Sequence, residues 1–554
     1  MNNTKRNKPK LSFSMIPYIK VILLLVAFTT SLKGFGQNFT RQDTLRGSIT
    51  PERAWWDLTF YDLKVAVEPA TQTISGENTI HYTVLNPHNK LQFDLQAPLV
   101  IEEVSQNGKT LKFTSEGPAH FVTLPKKAKK GSQQNITIKY SGEPKKAVNA
   151  PWDGGFSWRI DQNNNPFAAT SCQGLGASVW WPNKDHMYDE VDSMRIALTV
   201  PKDLVGVANG RLVNKEVKEE KATYTWKVSN PINNYCVNAN LGNYVQFGEV
   251  YQGEKGKLDL SYYVLPENLE KAKKQFEQVP KMLDAFEHWF GPYPFYEDSF
   301  KLVEVPYLGM EHQSSVTYGN QYRYGYLGRD LSGSGWGLKF DFIIIHEAGH
   351  EWFANNITYK DIADMWVHEG FTAYSESLYL DYHFGTKAAS EYVIGTRKLI
   401  QNDRPIIGSY DVNHKGSGDM YFKGSNMLHT LRQLVEDDDL WREVLRGLNE
   451  EFYHQTVTTK QIEDYVSKKT KKNLEAFFNQ YLRTTQIPTL EHKIENGKFV
   501  FRYVDVVEDF DMPLRFFTDG EPVWIFPSSE WSSIALPGPN LEIDPNFYVN
   551  TIPL

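Results

Sequence analysis

The hydrophobic period of this chain changes twice along its length, and that limits the folds open to it. From about Trp55 to Val250 apolar residues recur at every second position. Tyr61, Leu63, Val65 and Val67 alternate, and so do Ile80, Tyr82 and Val84 after the turn-like pair Ser75-Gly76. Such runs, broken by Gly, Pro and Asn, predict a β-rich domain. Over residues 267–290 the period lengthens to that of a helix, with a kink expected at Pro280 and a stop at Gly291-Pro292-Tyr293-Pro294. Helices are expected over roughly 338–355, 363–383, 387–401, 423–436 and 459–482, the last opened by a Thr458/Gln461 capping box. After Pro488, Phe499, Phe501 and Tyr503 alternate behind the turn Asn496-Gly497, which predicts a small β-sandwich. The pattern is that of a multidomain α+β protein: residues 37–250 β-rich, 251–486 mostly helical, 487–554 a small β domain.

Composition narrows the functions. A length of 554 residues allows three or four domains at about 150 residues each. With 41% hydrophobic and 23% charged residues, long disorder, collagen and coiled coil are excluded for the body of the chain. Two cysteines, Cys172 and Cys236, exclude a disulfide framework and a cysteine-rich metal cluster. Buried free thiols are expected, with pairing in an oxidising compartment left open. Residues 1–36 carry Lys5, Arg6, Lys8, Lys10, Lys20 and Lys33, no acid, an uncharged VILLLVAFTTSL stretch and a small-residue exit at Gly34-Phe35-Gly36. That is the pattern of a secretory signal peptide. The stretch is shorter than the roughly 20 residues of a membrane span. The expectation is therefore export to the periplasm or the extracellular space, with no stable membrane span after cleavage. An uncleaved anchor and a start at Met15 stay open. Losing those six cations takes the formal charge from −8 to −14, which excludes a general nucleic-acid partner.

The chemistry concentrates at His346-Glu347-Ala348-Gly349-His350, behind the apolar run Phe342–Ile345. On a helix, residues four apart lie about 40° from one another, so both imidazoles leave one face. Two nitrogen donors one turn apart can share a zinc ion, and the adjacent Glu347 can reach a water that the metal activates. An amphipathic core helix with two histidines on its polar side is the bland alternative. A zinc site needs a third protein ligand and one open position. The next strong helix supplies Glu369, with 18 residues between it and His350. Glu351 points about 100° away from His350 and reads as a surface residue or one that supports the ligands. Glu376, two turns past Glu369, would miss the same metal.

The spacing H-E-x-x-H-x18-E resembles the gluzincin pattern, and the segment HEAGHEWFANNITYKDIADMWVHEGFTAY is similar to the zinc helices of the aminopeptidase N family. His368-Glu369-Gly370-Phe371 stands where that family has N-E-G-F. Leu308-Gly309-Met310-Glu311-His312 stands where it has G-x-M-E-N, with Leu308 and His312 as the departures. Tyr421-Phe422-Lys423-Gly424 matches Y-x-K-G, Thr170-Ser171-Cys172-Gln173 falls at T-Q-x-E/Q, and Val207-Ala208-Asn209-Gly210 resembles an S-N-G strand end. The resemblance covers about residues 55–550 and is strongest over 303–430. It implies a β-rich saddle carrying Gln173, a thermolysin-like catalytic domain, and one Zn(2+) per chain on His346, His350 and Glu369. It further implies Glu347 and Tyr421 as catalytic residues, and Glu311, Gln173, Gly309 and Met310 as the substrate-binding set.

The implied activity is that of an aminopeptidase acting on peptides with a free N-terminus. Glu347 would handle the proton of the attacking water, Tyr421 would meet the oxyanion, and Glu311 would read the terminal ammonium, with Gln173 as a weaker anchor. His312 could keep a hydrogen bond, change the pH profile, or be purely structural. Asp364 is either a hydrogen-bond acceptor that orients a zinc histidine or an ordinary helix-start charge. Asn38, Asn135 and Asn356 match a glycan acceptor pattern, and Asn356, between the zinc helices, reads as structural. Many relatives continue into a large helical domain over the active site, whereas this sequence stops at Leu554, which implies a more open cleft or closure by oligomerisation. The rival readings are a zinc epoxide hydrolase, an endopeptidase, and a catalytically inactive scaffold on the same fold.

Overall fold

The computed structural model describes Met1 and residues 38–554 apart from Pro537 and Pro539. The expected signal segment, Met1 aside, lies outside the described residues. No helix among the described residues is long and apolar enough to cross a membrane. Gln42–Leu554 form one compact unit in which β-rich, helical and small β parts follow in the expected order.

In the first part Trp56–Glu68 buries Tyr61, Leu63, Val65 and Val67, and Thr73–Val84 buries Ile80, Tyr82 and Val84. The two run antiparallel, Tyr61 opposite Ile80, at the centre of an eight-stranded sheet. Ser75 and Gly76 lie inside the second strand, not in the expected turn. A Cβ on Gly76 would stand 2.2 Å from the Lys64 carbonyl oxygen, so this glycine serves a close backbone approach within the sheet. A second, four-stranded sheet contains Pro166–Ser171, which runs directly into Cys172 and Gln173. Both cysteines are free and buried: Cys172 Sγ donates to the Tyr235 carbonyl at 3.1 Å and Cys236 Sγ to Asn355 Oδ1 at 2.9 Å.

A five-stranded sheet follows. It opens with Val245–Gly253, across the boundary expected at residue 250, and has Gly309–Met310 as an edge strand. The helix break expected at Pro280 comes earlier, between Leu269–Gln275 and Gln278–Phe290. Pro280 sits in the first turn of the second helix, where its missing N–H costs no hydrogen bond. The helix expected over 338–355 is shorter, Phe342–Gly349. Its start is fixed by buried Asp341, whose Oδ1 accepts from the Ile343 and Ile344 N–H groups and from Asn320, while Oδ2 accepts from Gln275 and Tyr318. Trp366–Phe384, Thr386–Thr396 and Phe422–Val435 follow as expected. Asp438–Glu451 is a helix with no counterpart in the sequence reading, although Asp437 caps it and Trp441, Val444, Leu445 and Leu448 bury one face. The segment expected as one helix over 459–482 is two, Thr459–Thr470, with its capping box, and Glu475–Arg483.

The last part pairs a four-stranded with a three-stranded sheet. Asn496 and Gly497 take the positive φ of the expected hairpin turn, and Phe499, Phe501 and Tyr503 are buried. Asn356 is buried and donates to Asn449 Oδ1 at 3.0 Å, a structural role.

Removing the Asp341 carboxylate deletes an N-cap and strands two buried side-chain donors. Asp341→Ala should cost about 2 kcal/mol or more and lower the thermal unfolding midpoint, whereas a midpoint equal to the parent's would show that the cap carries no net stability.

Candidate metal centre and substrate cleft

Phe342–Gly349 ends abruptly. Phe353 and Ala354 leave helical geometry, and the carbonyl of Phe353, freed from the helical ladder, accepts from His350 Nδ1 at 3.1 Å. Thr372 Oγ1 lies 3.0 Å from the same nitrogen. On the preceding turn, His346 Nδ1 bonds Glu376 Oε1 at 2.8 Å, and Tyr392 donates to the other oxygen of that carboxylate at 2.5 Å. Both rings are therefore held by Nδ1, which leaves each Nε2 facing Glu369: His350 Nε2 is 3.4 Å and His346 Nε2 3.8 Å from Glu369 Oε2. That oxygen is buried and has no hydrogen-bond partner. A buried bare carboxylate oxygen, facing two imidazole nitrogens whose other sides are engaged, fits a tetrahedral zinc site with one position left open. Ligand atoms of the three side chains all lie within 4.8 Å of one another.

The electrostatics favour a cation here. Burial opposes charge on His346 and His350, but the Glu369 carboxylate, joined by Glu376 at His346, raises both. Burial alone would raise Glu369; the His350 and His346 charges override it and hold it well below the ordinary carboxylate range. Glu347 is pushed up to about 7, first by burial and then by the Glu311 charge, against the pull of the histidines.

The other expected residues converge on the same cleft, a cavity of about 360 Å³. Glu311, Glu347 and His350 form a second group within 4.8 Å. Gln173, delivered by the β-rich part, donates from Nε2 to Glu311 and, at 2.9 Å, to Glu369 Oε1. Gly309 and Met310 line the cleft from the edge strand, and a Cβ on Gly309 would come within 2.7 Å of Ile343 Cγ2. The Tyr421 ring stacks on His346 with centroids 6.0 Å apart. Burial and the Glu369 and Glu311 charges raise its hydroxyl far above the usual phenol range, so it stays a donor. Two glycines make this approach possible. A Cβ on Gly424 would lie 3.1 Å from Gly370 Cα, so the helices Trp366–Phe384 and Phe422–Val435 cross backbone on backbone and draw Tyr421 toward Glu369.

Several expectations change. Asp364 orients no metal histidine; it accepts from Tyr410, from the Thr459 N–H and from the Thr459 hydroxyl, tying the start of one helix to another. Glu351 is wholly buried, not on the surface, and accepts from the Ser314 N–H and Asn355. Glu376 does miss the metal position, but sequence reading gave it no other part and it orients His346. The signal was present: on a helix, Glu376 lies two turns from Glu369 on the same face. His312 is buried, its Nδ1 3.3 Å from Thr317 Oγ1, its Nε2 without a partner, and it does not line the cleft. Burial pushes its imidazole down to about 3.

Family comparison agrees with this geometry. A peptidase M1 N-terminal domain matches residues 58–236 and a peptidase family M1 domain matches 274–481. The chain belongs to peptidase family M1. Curated M1-like relatives are distant: leukotriene A-4 hydrolase of Xenopus laevis is 23% identical over 66% of this chain and 60% of its own length. Aminopeptidase M1-B of Oryza sativa subsp. japonica is 22% identical over 68% of this chain and 44% of its own. The chain thus spans about half the length of the curated relatives it matches. Among solved structures, an M1 zinc metallopeptidase from Deinococcus radiodurans shares the fold with TM-score 0.67 at 20% identity, covering 80% of this chain and 98% of that one. A mutant of that protein bound to a Tyr-Ser-Ala substrate aligns equally well.

Breaking the His346–Glu376 hydrogen bond should weaken zinc about 10- to 100-fold. Glu376→Ala, measured by chelator competition, checks this. Asp364→Asn should leave zinc affinity at the parent value.

Proposed function

We propose that this chain is an exported zinc-dependent aminopeptidase that removes N-terminal residues from peptides. The observation that carries the reading is Glu311. It is a buried carboxylate beside the metal ligands, and no Lys or Arg among the described residues forms an ion pair with it. A substrate ammonium is the cation such a site lacks. Export rests on the basic start, short apolar core and small-residue exit of residues 1–36.

His346, His350 and Glu369 would hold a zinc ion, which when bound would supply Lewis-acid chemistry and an acidified water near neutral pH. Glu311, steadied by Gln173, fixes the terminal ammonium and so sets which peptide bond is presented. Glu347 takes one proton from the attacking water and returns it to the leaving nitrogen, so the peptide C–N bond breaks to a neutral amine and a carboxylic acid, whose remaining proton then passes to the amine to give ammonium and carboxylate. The Tyr421 hydroxyl donates to the oxyanion as it forms. Gly309 and Met310 offer backbone edge to an extended peptide.

A panel of aminoacyl-4-nitroanilides, run with and without chelator and zinc add-back, tests the reading. Free-amine substrates should turn over and their N-acetyl derivatives should not. Equal rates on both would remove Glu311 from substrate recognition and leave an endopeptidase. Glu347→Gln should retain one zinc and lose about 10²- to 10⁴-fold in kcat. Tyr421→Phe should lose about 10²- to 10³-fold in kcat with KM nearly unchanged; a normal kcat would dismiss the tyrosine.

A further inference from the structure

A second cavity, about 490 Å³, adjoins the cleft. The two share Trp152 and Leu308 in their walls. Trp152 is 61% exposed, an unusual state for the largest apolar side chain. Leu308 occupies the place of a glycine in the family pattern, and here it puts an apolar wall where the two cavities meet.

Chain direction links them. A peptide whose ammonium sits at Glu311 can run along the edge strand one way only. His312, Gln313, Ser314 and Ser315 are wholly buried and close one end. The other direction passes Met310, Gly309 and Leu308 and then meets Glu304–Tyr307, which line the second cavity. At a strand rise of about 3.3 Å per residue, Leu308 lies roughly 10 Å from Glu311, so the third or fourth residue of an extended peptide arrives there. Across the second cavity stands Lys271, its sole cation, on the helix Leu269–Gln275. Its Nζ donates to Asn268 Oδ1 at 3.1 Å and forms no ion pair among the described residues. The facing acid, Glu304, is already occupied, accepting from Asn268 Nδ2 at 2.7 Å and from the Leu265 N–H at 2.8 Å.

We propose that the two cavities are one continuous groove: the second receives the third to fifth residues of the peptide, Trp152 packs over the chain as it crosses Leu308, and Lys271 meets a carboxylate at the far end. This rests on the aminopeptidase reading and narrows its substrates to peptides of about four or five residues. The carboxylate is the chain terminus or an acidic side chain at that position.

Calorimetry on the zinc-loaded Glu347→Gln protein, which binds without cleaving, tests it with alanine peptides of two to five residues. Kd should tighten about tenfold from tripeptide to pentapeptide, the sum of an aromatic contact and one exposed ion pair. Amidating the pentapeptide's C-terminus should lose about threefold of that. An amidated pentapeptide ending in glutamate that binds as well as the free acid identifies the side chain as the source. Adding Lys271→Glu should erase the preference for the acid over the amide. In the otherwise unaltered chain, the same substitution should leave aminoacyl-nitroanilide turnover as it was. Trp152→Ala should weaken the pentapeptide at least fivefold more than the dipeptide. A Kd independent of length, or one indifferent to both amidation and Lys271→Glu, overturns the proposal while dipeptide binding keeps the aminopeptidase reading intact. No binding of any peptide, together with no nitroanilide turnover, overturns the reading beneath it.

Discussion

The centre of the molecule is built around one bare oxygen. Glu369 Oε2 has no hydrogen-bond partner, yet it is buried and faces two imidazole nitrogens. Desolvating a carboxylate in this way is expensive unless a cation compensates it. The surroundings are arranged so that a cation can do so only between the two rings. Glu376 and the Phe353 carbonyl take up the Nδ1 sides, which fixes the ring planes and leaves both Nε2 atoms aimed at the gap. The break in the helix after Gly349 is part of this arrangement, because a helix continued through Phe353 would keep its carbonyl in the backbone ladder.

The β-rich part is more than a support. Its strand Pro166–Ser171 ends at Gln173, which bridges Glu311 and Glu369. Nearby, Asn209 Nδ2 donates to the carbonyls of Cys236 and Gln313, and the Asn209 Oδ1 accepts from the Asn238 N–H. Cys236 in turn bonds Asn355, which donates to the Glu311 carbonyl. The two buried cysteines are thus small donors in a polar seam between the sheet and the segment carrying Glu311. Burial raises both thiols far above their ordinary range, so they remain neutral donors there.

Sequence made the metal ligands legible because their chemistry is tied to helical spacing: His346 and His350 one turn apart, Glu369 at the start of the next helix. The alternating strands were legible for the same reason, a fixed period. What escaped has no period. Asp341 caps a helix, yet the residue is also a hub for Gln275, Tyr318 and Asn320, partners scattered over more than sixty positions. Asp364 sits at the right distance from Glu369 to support a ligand but is captured by Thr459, a partner 95 residues away. Gly76 looks like a turn because glycine usually marks one, and here it marks contact with the Lys64 carbonyl instead. For Asp364 and Gly76 a local signal was seen and assigned to the wrong neighbour, whereas Asp341 carried no local signal that set it apart.

The two departures from the family pattern on either side of Gly309-Met310-Glu311 have unequal consequences. His312 turns away from the cleft into a wholly buried site, where its imidazole stays neutral and bonds Thr317. His312 does not line the cleft, whereas Glu311 and Gln173 do. Leu308 instead lines both cavities. A glycine there would present only backbone; leucine adds an apolar side chain to the wall that Trp152 also lines. The metal site therefore keeps the family's ligand spacing, while the departure at Leu308 changes the wall that the two cavities share.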